Sequence, residues 1–395
     1  MKRNIILLYA VNFLQGMVFY APVATLYRQN RGVSVFQITL MESISLALCL
    51  SLEVPWGMVA DRIGYKNTLV FCNLLYALSK IVFWRANGFL WFLVERLMLS
   101  VVSSGISGCD SALLYLSCSS GSREEIGPRV FGGYSAMGTA GLLAAAVFTP
   151  LMLREGDSQT AFFTILSYFG AAMLTLFLTD VQIPVQTPTT LREQTRAVAR
   201  VLRSDSHVLP LLVAAALFSE CHQTILTFLN QLQYVRCAIP TAAMGYLYIL
   251  MTVIGLLAAR SHKLTARLGE PRSMTLLLLA GCAACLLLTL TANAVLSVLG
   301  LAVLKAAFSL FNPILLTIEN RRITGGNRAS ILSVYAILMD CVAVGTSLTF
   351  GWAADSGVAN AMLLGAGFCF AALGLYGYWA HTEGEKKYDS RGNKG

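Results

Sequence analysis

Twelve long apolar runs constrain the fold of this chain more than any other feature. Each run is at least about 18 residues long, enough for an α-helix to cross a hydrocarbon layer roughly 30 Å thick. The predicted spans, numbered one to twelve, lie at 5–27, 35–58, 67–84, 89–117, 129–152, 160–180, 208–234, 241–260, 273–291, 294–318, 329–353 and 358–380. Only 12% of the residues are charged and 56% are hydrophobic, so polar side chains could not cover these runs in water. We therefore predict an all-α membrane protein with twelve transmembrane helices.

A long polar interval divides the spans into two sets of six. The interval contains arginines at helical spacing, namely Arg192, Arg196, Arg200 and Arg203. This pattern predicts an amphipathic helix on the cytoplasmic surface, near anionic lipid headgroups. The predicted domains are an N-terminal six-helix bundle at 1–180, a cytoplasmic linker at 181–207, a C-terminal six-helix bundle at 208–380 and a cytoplasmic tail at 381–395.

The basic residues predict the orientation of the chain. Lys and Arg total 29 against 20 acidic residues, and most of them lie in short loops between apolar spans. With the N-terminus in the cytoplasm, the outer loops carry Arg28, Arg31, Arg85, Arg154 and Arg236, and the inner loops carry most of the others. Cytoplasmic loops are generally enriched in Lys and Arg. We expect a multi-pass protein of the cytoplasmic membrane, with both termini cytoplasmic, the lipid bilayer as a partner and no nucleic acid.

The ten cysteines lie almost entirely within the apolar spans. They form no extramembrane cluster of the kind that makes a disulfide framework. Cys282 and Cys285 form a C-x-x-C pair, but in an apolar run without His or acidic neighbours. The sequence therefore predicts packing at this pair rather than redox or metal chemistry, and it predicts no metal and no cofactor for the chain.

A short motif follows span two. Residues 57–69 read GMVADRIGYKNTL, where Gly57 permits close helix approach and Gly64 permits a tight turn into span three. The segment resembles the loop signature of the major facilitator superfamily at Gly57, Asp61, Arg62, Gly64 and Lys66. The resemblance covers essentially the whole chain. It implies two pseudo-symmetric six-helix bundles that give alternating access to a substrate site between them, with this loop as a cytoplasmic gate and Asp61 as its latch.

A degenerate copy of the motif follows span eight. Residues 262–272 read HKLTARLGEPR, and aligning Gly64 with Gly269 also matches Arg62 with Arg267. Such a copy indicates internal duplication, the arrangement on which alternating-access transporters are built.

Further positions bear on the resemblance. Glu53 begins an E-V-P-W-G stretch that resembles the end of span two in many relatives, and Arg96 resembles an arginine of span four. Drug/proton antiporters of the family often carry G-x-x-x-G-P-x-x-G in span five. Here residues 132–143 read GGYSAMGTAGLL, without proline after Gly138. We expect bacterial drug/proton-antiporter-like export from the resemblance as a whole. The span-five stretch does not establish it, because it lacks the proline of the antiporter motif.

Three ionisable residues lie at similar mid-span depth in the second half: Glu220, Lys305 and Asp340. Charges at the bilayer centre are costly and usually functional. A carboxyl in a partly dry cavity takes up a proton more readily, and a neighbouring ammonium opposes this. We predict that Glu220 or Asp340 couples transport to protons, with Asp110 as a further candidate. Lys305 either supplies the opposing charge or attracts an anionic substrate; the alternative is a buried Lys–carboxylate pair that only fixes helix register.

Polar side chains follow one predicted helix face in several spans. On span seven, polar residues follow one another at spacings of 4, 3, 4 and 3 residues, which places them on one face of an α-helix. They are Glu220, Thr224, Thr227, Gln231 and Tyr234. The predicted substrate contacts on such faces are Lys305, Arg96, Asn12, Gln15, Thr224, Thr227, Gln231, Asn312 and Tyr335. His222 lies on a different face, and we interpret it as a packing residue. The depths of Glu42, Lys80, Glu95 and Arg96 would allow salt bridges among spans two, three and four. We interpret Glu42, Lys80 and Glu95 mainly as an external gate or scaffold, which leaves Arg96 as a substrate contact.

The function predicted is secondary active transport of a small organic solute, with proton-coupled efflux by antiport as the leading hypothesis. The alternative is a proton symporter or facilitator for uptake of an anionic metabolite. A membrane-embedded enzyme is disfavoured because no H-E-x-x-H motif accompanies the four histidines, and ATP is disfavoured because no G-x-x-x-x-G-K-[ST] loop occurs. A non-transporting receptor is a further alternative, which ligand binding without flux would identify. The expected partners are the solute and protons, and we expect a monomer.

Overall fold

The computed structural model describes residues 2–117, 123–153, 157–179, 206–323 and 328–392. This part of the chain is helical throughout, with short connections. It contains 12 helical stretches long and apolar enough to cross a membrane. They are Arg3–Gln29, Val35–Glu53, Tyr65–Arg85, Phe89–Leu116, Arg129–Met152, Ser158–Leu176, Leu209–Arg236, Thr241–Leu268, Glu270–Leu290, Ala294–Arg322, Ile331–Asp355 and Val358–Thr382. The predicted all-α architecture with twelve spans is confirmed.

The chain divides into two compact units. The first comprises Met1–Thr190 and Pro240–Ile249, and the second comprises Leu191–Ile239 and Leu250–Gly395. The α-helices are Lys2–Gly16, Ala24–Gln29, Val35–Ile63, Tyr65–Arg85, Phe89–Ile106, Cys109–Leu116, Arg123–Met152, Asp157–Leu176, Leu209–Thr224, Asn230–Arg236, Thr241–Gly255, Ser261–Leu268, Glu270–Leu290, Ala294–Arg322, Arg328–Asp355 and Val358–Gly392. The four arginines of the predicted amphipathic helix lie outside the described residues. The last helix reaches Gly392, so the segment predicted as a tail begins within a helix.

Several spans predicted as single helices are interrupted. Span one ends its first helix at Gly16 and resumes through a 3₁₀ turn at Ala21–Val23. Span four breaks at Gly108, whose φ of +88° is a conformation that favours glycine. Span seven contains a π-helical turn at Ile225–Leu229, and span eight ends in a 3₁₀ turn at Leu256–Arg260. At such breaks, backbone N–H and C=O groups lose their regular α-helical partners.

Spans one and five cross at closely spaced glycines. A Cβ on Gly141 would overlap the carbonyl oxygen of Phe13, and a Cβ on Gly16 would overlap that of Gly138. Small residues let helix backbones approach in this way inside a membrane. The glycine-rich sequence of span five is thus explained by close packing in the first unit.

Candidate functional site

Two glycine turns have the same backbone geometry in the two units. Gly64 has φ +90° and ψ 152°, and Gly269 has φ +79° and ψ 159°. In each turn the glycine N–H donates to the carbonyl four residues earlier. The glycine carbonyl accepts from the hydroxyl four residues later, Thr68 at 2.9 Å and Ser273 at 2.7 Å. The tight turn predicted at Gly64 is confirmed, and its copy at Gly269 repeats it bond for bond.

The other described side chains in and next to the loop motif are exposed or half-buried. Gly57, Arg62 and Glu53 are exposed, and Lys66 is half-buried. A Cβ on Gly57 would meet no atom within 4 Å among the described residues. Among the described residues, the close helix approach predicted at Gly57 is not found. The side chain of Asp61 lies outside the described residues, and its latch role stays a prediction.

A chain of hydrogen bonds joins spans one, four and five in the first unit. The Asn12 side-chain amide donates to the carbonyl oxygen of Tyr134 at 2.6 Å. The Tyr134 hydroxyl donates to Oδ2 of Asp110 at 2.9 Å. Oδ1 of Asp110 accepts from the backbone N–H of Ser111 at 2.6 Å. Asn12 and Asp110, predicted from separate spans, are thus linked through Tyr134.

Gln15, the second polar residue predicted on span one, connects to spans three and six. Its side-chain amide donates to Oδ1 of Asn73 at 2.6 Å. Its carbonyl oxygen accepts from the Tyr168 hydroxyl at 2.7 Å, and Asn73 donates to the Leu69 carbonyl at 2.8 Å. These bonds hold the Gln15 amide in a defined position on the polar side of span one.

Arg96 is ion-paired with Glu42 of span two, and the two side chains are 28% and 19% exposed. The Arg96 carbonyl accepts from Ser100 at 3.0 Å, and the Ser100 hydroxyl lies 2.7 Å from that of Ser45. The predicted salt bridge between spans two and four is confirmed.

Glu95 belongs to a buried charged group beside this pair. Its carboxylate oxygens lie 3.7 Å from Nζ of Lys80 and 3.9 Å from Nη2 of Arg28. Lys80 also donates to the Tyr20 hydroxyl at 3.0 Å. Its ammonium lies 4.9 to 5.7 Å from the ring centres of Tyr20, Tyr76 and Tyr168. The predicted salt bridge between spans three and four is confirmed, and the burial of Glu95 and Lys80 favours a scaffold over a gate.

In the second unit, Glu220 lies half-buried in span seven and accepts a hydrogen bond from the Thr224 hydroxyl at 2.6 Å. The π-helical turn Ile225–Leu229 follows at once. Thr227 within the turn is exposed, whereas Gln231 beyond it is 1% exposed. The prediction that these polar residues share one helix face is therefore wrong beyond Thr224. In the π-helical turn each N–H bonds to the carbonyl five residues earlier, which rotates the later residues around the helix axis.

Lys305 lies half-buried in span ten, beside Gly255 of span eight. A Cβ on Gly255 would stand 3.3 Å from Cε and 3.9 Å from Nζ of Lys305, so the glycine leaves room for the ammonium group. The Lys–carboxylate pair stays one of the predicted alternatives.

His222 packs near Lys305. Its ring stacks on Phe308 with centroids 4.0 Å apart and an interplanar angle of 15°. The side chain is buried, and Nε2 has no hydrogen-bond partner in the part of the chain that the structure describes. This environment agrees with the packing role predicted for His222.

The other predicted contacts of the second unit are spread over two spans. Asn312 is exposed on span ten, Tyr335 is buried on span eleven, and Asp340 is half-buried on the same span. Glu220 with Thr224, and Lys305 beside Gly255, are the local groups that the described contacts define.

The sequence analysis missed several residues that complete these groups. Tyr134 links Asn12 to Asp110, Asn73 holds Gln15, and Cys221, Cys285 and Cys369 form one buried cluster. The cysteines come from three spans, so no local motif could reveal the cluster. Their similar mid-span depth was a usable signal.

Twelve spans that carry charged and amide side chains in their interior are features of a polytopic transporter. The chain belongs to the Major Facilitator Superfamily, whose family model matches residues 5–347. Members of this family are transporters that work by alternating access.

Comparisons with individual proteins agree with the family. A relative, the uncharacterised MFS-type transporter of Methanocaldococcus jannaschii, is 24% identical over 110 residues, which are 27% of this chain and 28% of that protein. The match thus spans little more than a quarter of the relative.

Three solved transporters show the same fold. The nucleoside transporter NupG has a TM-score of 0.76 and 17% identity, covering 96% of this chain and 99% of that one. The POT family transporter PepTSo has a TM-score of 0.75 and 12% identity, covering 97% and 98%. The D-xylose-proton symporter has a TM-score of 0.66 and 13% identity, covering 93% and 96%.

Proposed function

We propose that this transporter exports a small organic solute across the cytoplasmic membrane in exchange for protons, with both termini in the cytoplasm. The observation that carries the proposal is the half-buried Glu220 carboxyl in span seven, hydrogen-bonded to Thr224 at 2.6 Å. A hydroxyl can donate to a carboxylate and, after rotation, accept from a protonated acid. Thr224 can therefore hold Glu220 in both protonation states, as a proton carrier requires.

Two further considerations support proton coupling. An ionisable residue inside a membrane span is a functional-site hypothesis by default. One transporter of the same fold is a symporter of D-xylose and protons, so the fold accommodates proton coupling. Drug/proton-antiporter-like export is the finer form of the proposal; it rests on the argument for proton coupling, since span five lacks the proline of the antiporter motif after Gly138.

The direct test is a solute screen in inside-out vesicles containing the protein. A panel of metabolites and drugs is added with and without an imposed pH gradient, acidic inside. Accumulation that needs the gradient and stops when a protonophore collapses it is the expected result. Equal accumulation under both conditions would contradict proton-driven export, and binding without any flux would identify a receptor.

A second candidate function is movement of an anionic metabolite, and Lys305 favours it. Its half-buried ammonium group lies in the space beside Gly255, where a ligand of opposite charge can neutralise it. Counterflow of the solute without proton movement would favour this candidate over antiport.

Lys305→Gln is expected to weaken transport of an anionic solute by at least about tenfold in KM. A hydrogen bond to a charged group contributes about 1.5–3 kcal/mol, and about 1.4 kcal/mol corresponds to tenfold. The matched control is Lys263→Gln, which removes an exposed lysine of the same unit and should leave KM unchanged. Counterflow of anionic solutes and of their neutral analogues measures both. An equal change for neutral analogues would remove Lys305 from anion recognition.

Asp61→Asn is expected to slow transport severalfold while the protein keeps its thermal stability. The reason is the latch role that the loop resemblance implies, in which the carboxylate pairs with a basic group in one state and releases it in the other. Initial rates in proteoliposomes measure the effect. Asp355→Asn, at an exposed position, serves as the control. Unchanged rates in the Asp61 variant would count against a latch.

A further inference from the structure

Three cysteines from three spans meet inside the second unit. Cys221 of span seven, Cys285 of span nine and Cys369 of span twelve are each 0% exposed. The Cys221 sulphur lies 3.7 Å from that of Cys285 and 3.6 Å from that of Cys369, and all three sulphurs lie within 4.8 Å of one another. A disulfide bond is about 2.05 Å long, so these are free thiols.

We propose that this thiol cluster binds one soft metal ion of the Cu(I) class. Three sulphurs about 2.3 Å from a central ion form a triangle with edges of about 4.0 Å. The observed separations of 3.6 Å, 3.7 Å and at most 4.8 Å bracket that edge, so small side-chain rotations would complete the site. The cluster has no carboxylate or imidazole among the described residues, and thiol sulphur selects soft ions.

Metal binding releases protons from the cluster. Cysteine binds a metal ion as thiolate, so each copper–sulphur bond that forms replaces a thiol proton, which is released to water. The positive ion offsets part of the thiolate charge, which lowers the cost of burying it. A fourth ligand, usual at structural zinc sites, is not part of the cluster in the described residues.

A glycine on span twelve makes room for the sulphur atoms. A Cβ on Gly365 would stand 3.2 Å from the Cys221 sulphur, 3.5 Å from that of Cys285 and 3.0 Å from Cδ1 of Ile225. The Cys221 thiol contacts the Gly365 carbonyl at 3.6 Å. Burial alone is common for free cysteines. Packing does not require three sulphurs at ligand spacing around one point, whereas metal binding does.

The test measures copper retention by the full-length protein in detergent. The protein is loaded anaerobically with Cu(I), exchanged into a large excess of glutathione and desalted, and copper is counted by mass spectrometry. Isolated cysteines lose copper to glutathione, but a three-sulphur chelate keeps it. We expect about one retained copper in the wild type and near-complete loss in Cys221→Ser, Cys285→Ser and Cys369→Ser.

Cys282→Ser is the matched control, since Cys282 lies one turn before Cys285 on the same span and outside the cluster. It should retain copper as the wild type does. Gly365→Ala should weaken retention by about 10–100-fold, and Gly367→Ala, where a Cβ would meet nothing within 4 Å, should not. Loss of copper from the wild type, or equal retention in the three serine variants, would overturn the proposal.

A measurement without variants decides the matter if a serine substitution prevents folding. X-ray absorption at the copper edge of the loaded wild type should show three sulphur neighbours at about 2.3 Å. Two sulphurs, or a shell containing nitrogen or oxygen, would contradict a site built from Cys221, Cys285 and Cys369.

Discussion

Glu220→Gln abolishes proton-coupled flux if Glu220 is the proton carrier. Glutamine has nearly the same shape and can still accept the hydrogen bond from Thr224, which is 2.6 Å long in the wild type. It cannot bind or release a proton, so a pH gradient can no longer drive the solute. In proteoliposomes with an imposed gradient, the variant should fall to the level of protein-free liposomes. Counterflow, which needs no net proton movement, should persist.

The matched control for this prediction is Glu270→Gln. Glu270 belongs to the same unit but pairs with Arg321 at 2.6 Å on a partly exposed surface. Its loss should leave coupled flux unchanged. Asp340→Asn then separates the two candidate carriers, because the true carrier is the one whose amide uncouples transport while counterflow persists. Full pH-driven accumulation in both the Glu220 and the Asp340 variants would remove both residues from that role.

The spans and one turn could be predicted because their causes are local. A helix that crosses a bilayer needs a run of about 20 apolar residues, and such runs are visible in the sequence. The turn at Gly64 needs a positive φ that glycine adopts freely, and aligning it with Gly269 located the same turn in the second unit. Asp61 matched the same motif, but a motif match specifies no side-chain contact, so its latch role stays a prediction.

The interior of the spans was harder to predict. The π-helical turn Ile225–Leu229 has no sequence signature, so the polar stripe of span seven was drawn with the wrong period. The pairing of Arg96 with Glu42 was predictable from charge and depth, since an unpaired buried charge is costly.

Contacts between distant spans depend on packing that one sequence does not encode in a readable pattern. Cys221 meets Cys285, 64 residues away, and Cys369, 148 residues away. The C-x-x-C spacing of Cys282 and Cys285 drew attention to the wrong partner, because the Cys282 thiol contacts the Ala366 carbonyl of span twelve, whereas the Cys285 thiol meets Cys221 and Cys369. The Tyr134 hydroxyl that joins Asn12 to Asp110 is likewise a consequence of how spans one, four and five cross.

Gly141→Ala is expected to destabilise the first unit strongly. The added methyl group would overlap the carbonyl oxygen of Phe13, which is backbone and cannot rotate away. Overpacking in a core usually costs about 1–3 kcal/mol, and a clash with backbone belongs at or above the upper end because the helices themselves must separate. The apparent melting temperature of the detergent-solubilised protein should fall by several degrees. Transport should fall as well, since separating spans one and five would break the 2.6 Å bond from Asn12 to the Tyr134 carbonyl.

Gly132→Ala on the same span distinguishes close approach from glycine flexibility. Gly132 is exposed, and a Cβ there would meet no atom within 4 Å in the described part of the chain. Alanine is a better helix former than glycine by about 1 kcal/mol, so this variant should be as stable as the wild type or slightly more so. If both variants lost the same stability, span five would need its glycines for flexibility rather than for contact. If neither variant lost stability, spans one and five would have to lie farther apart at Gly141 than the structure shows. The crossing would then not hold Asn12 against the Tyr134 carbonyl.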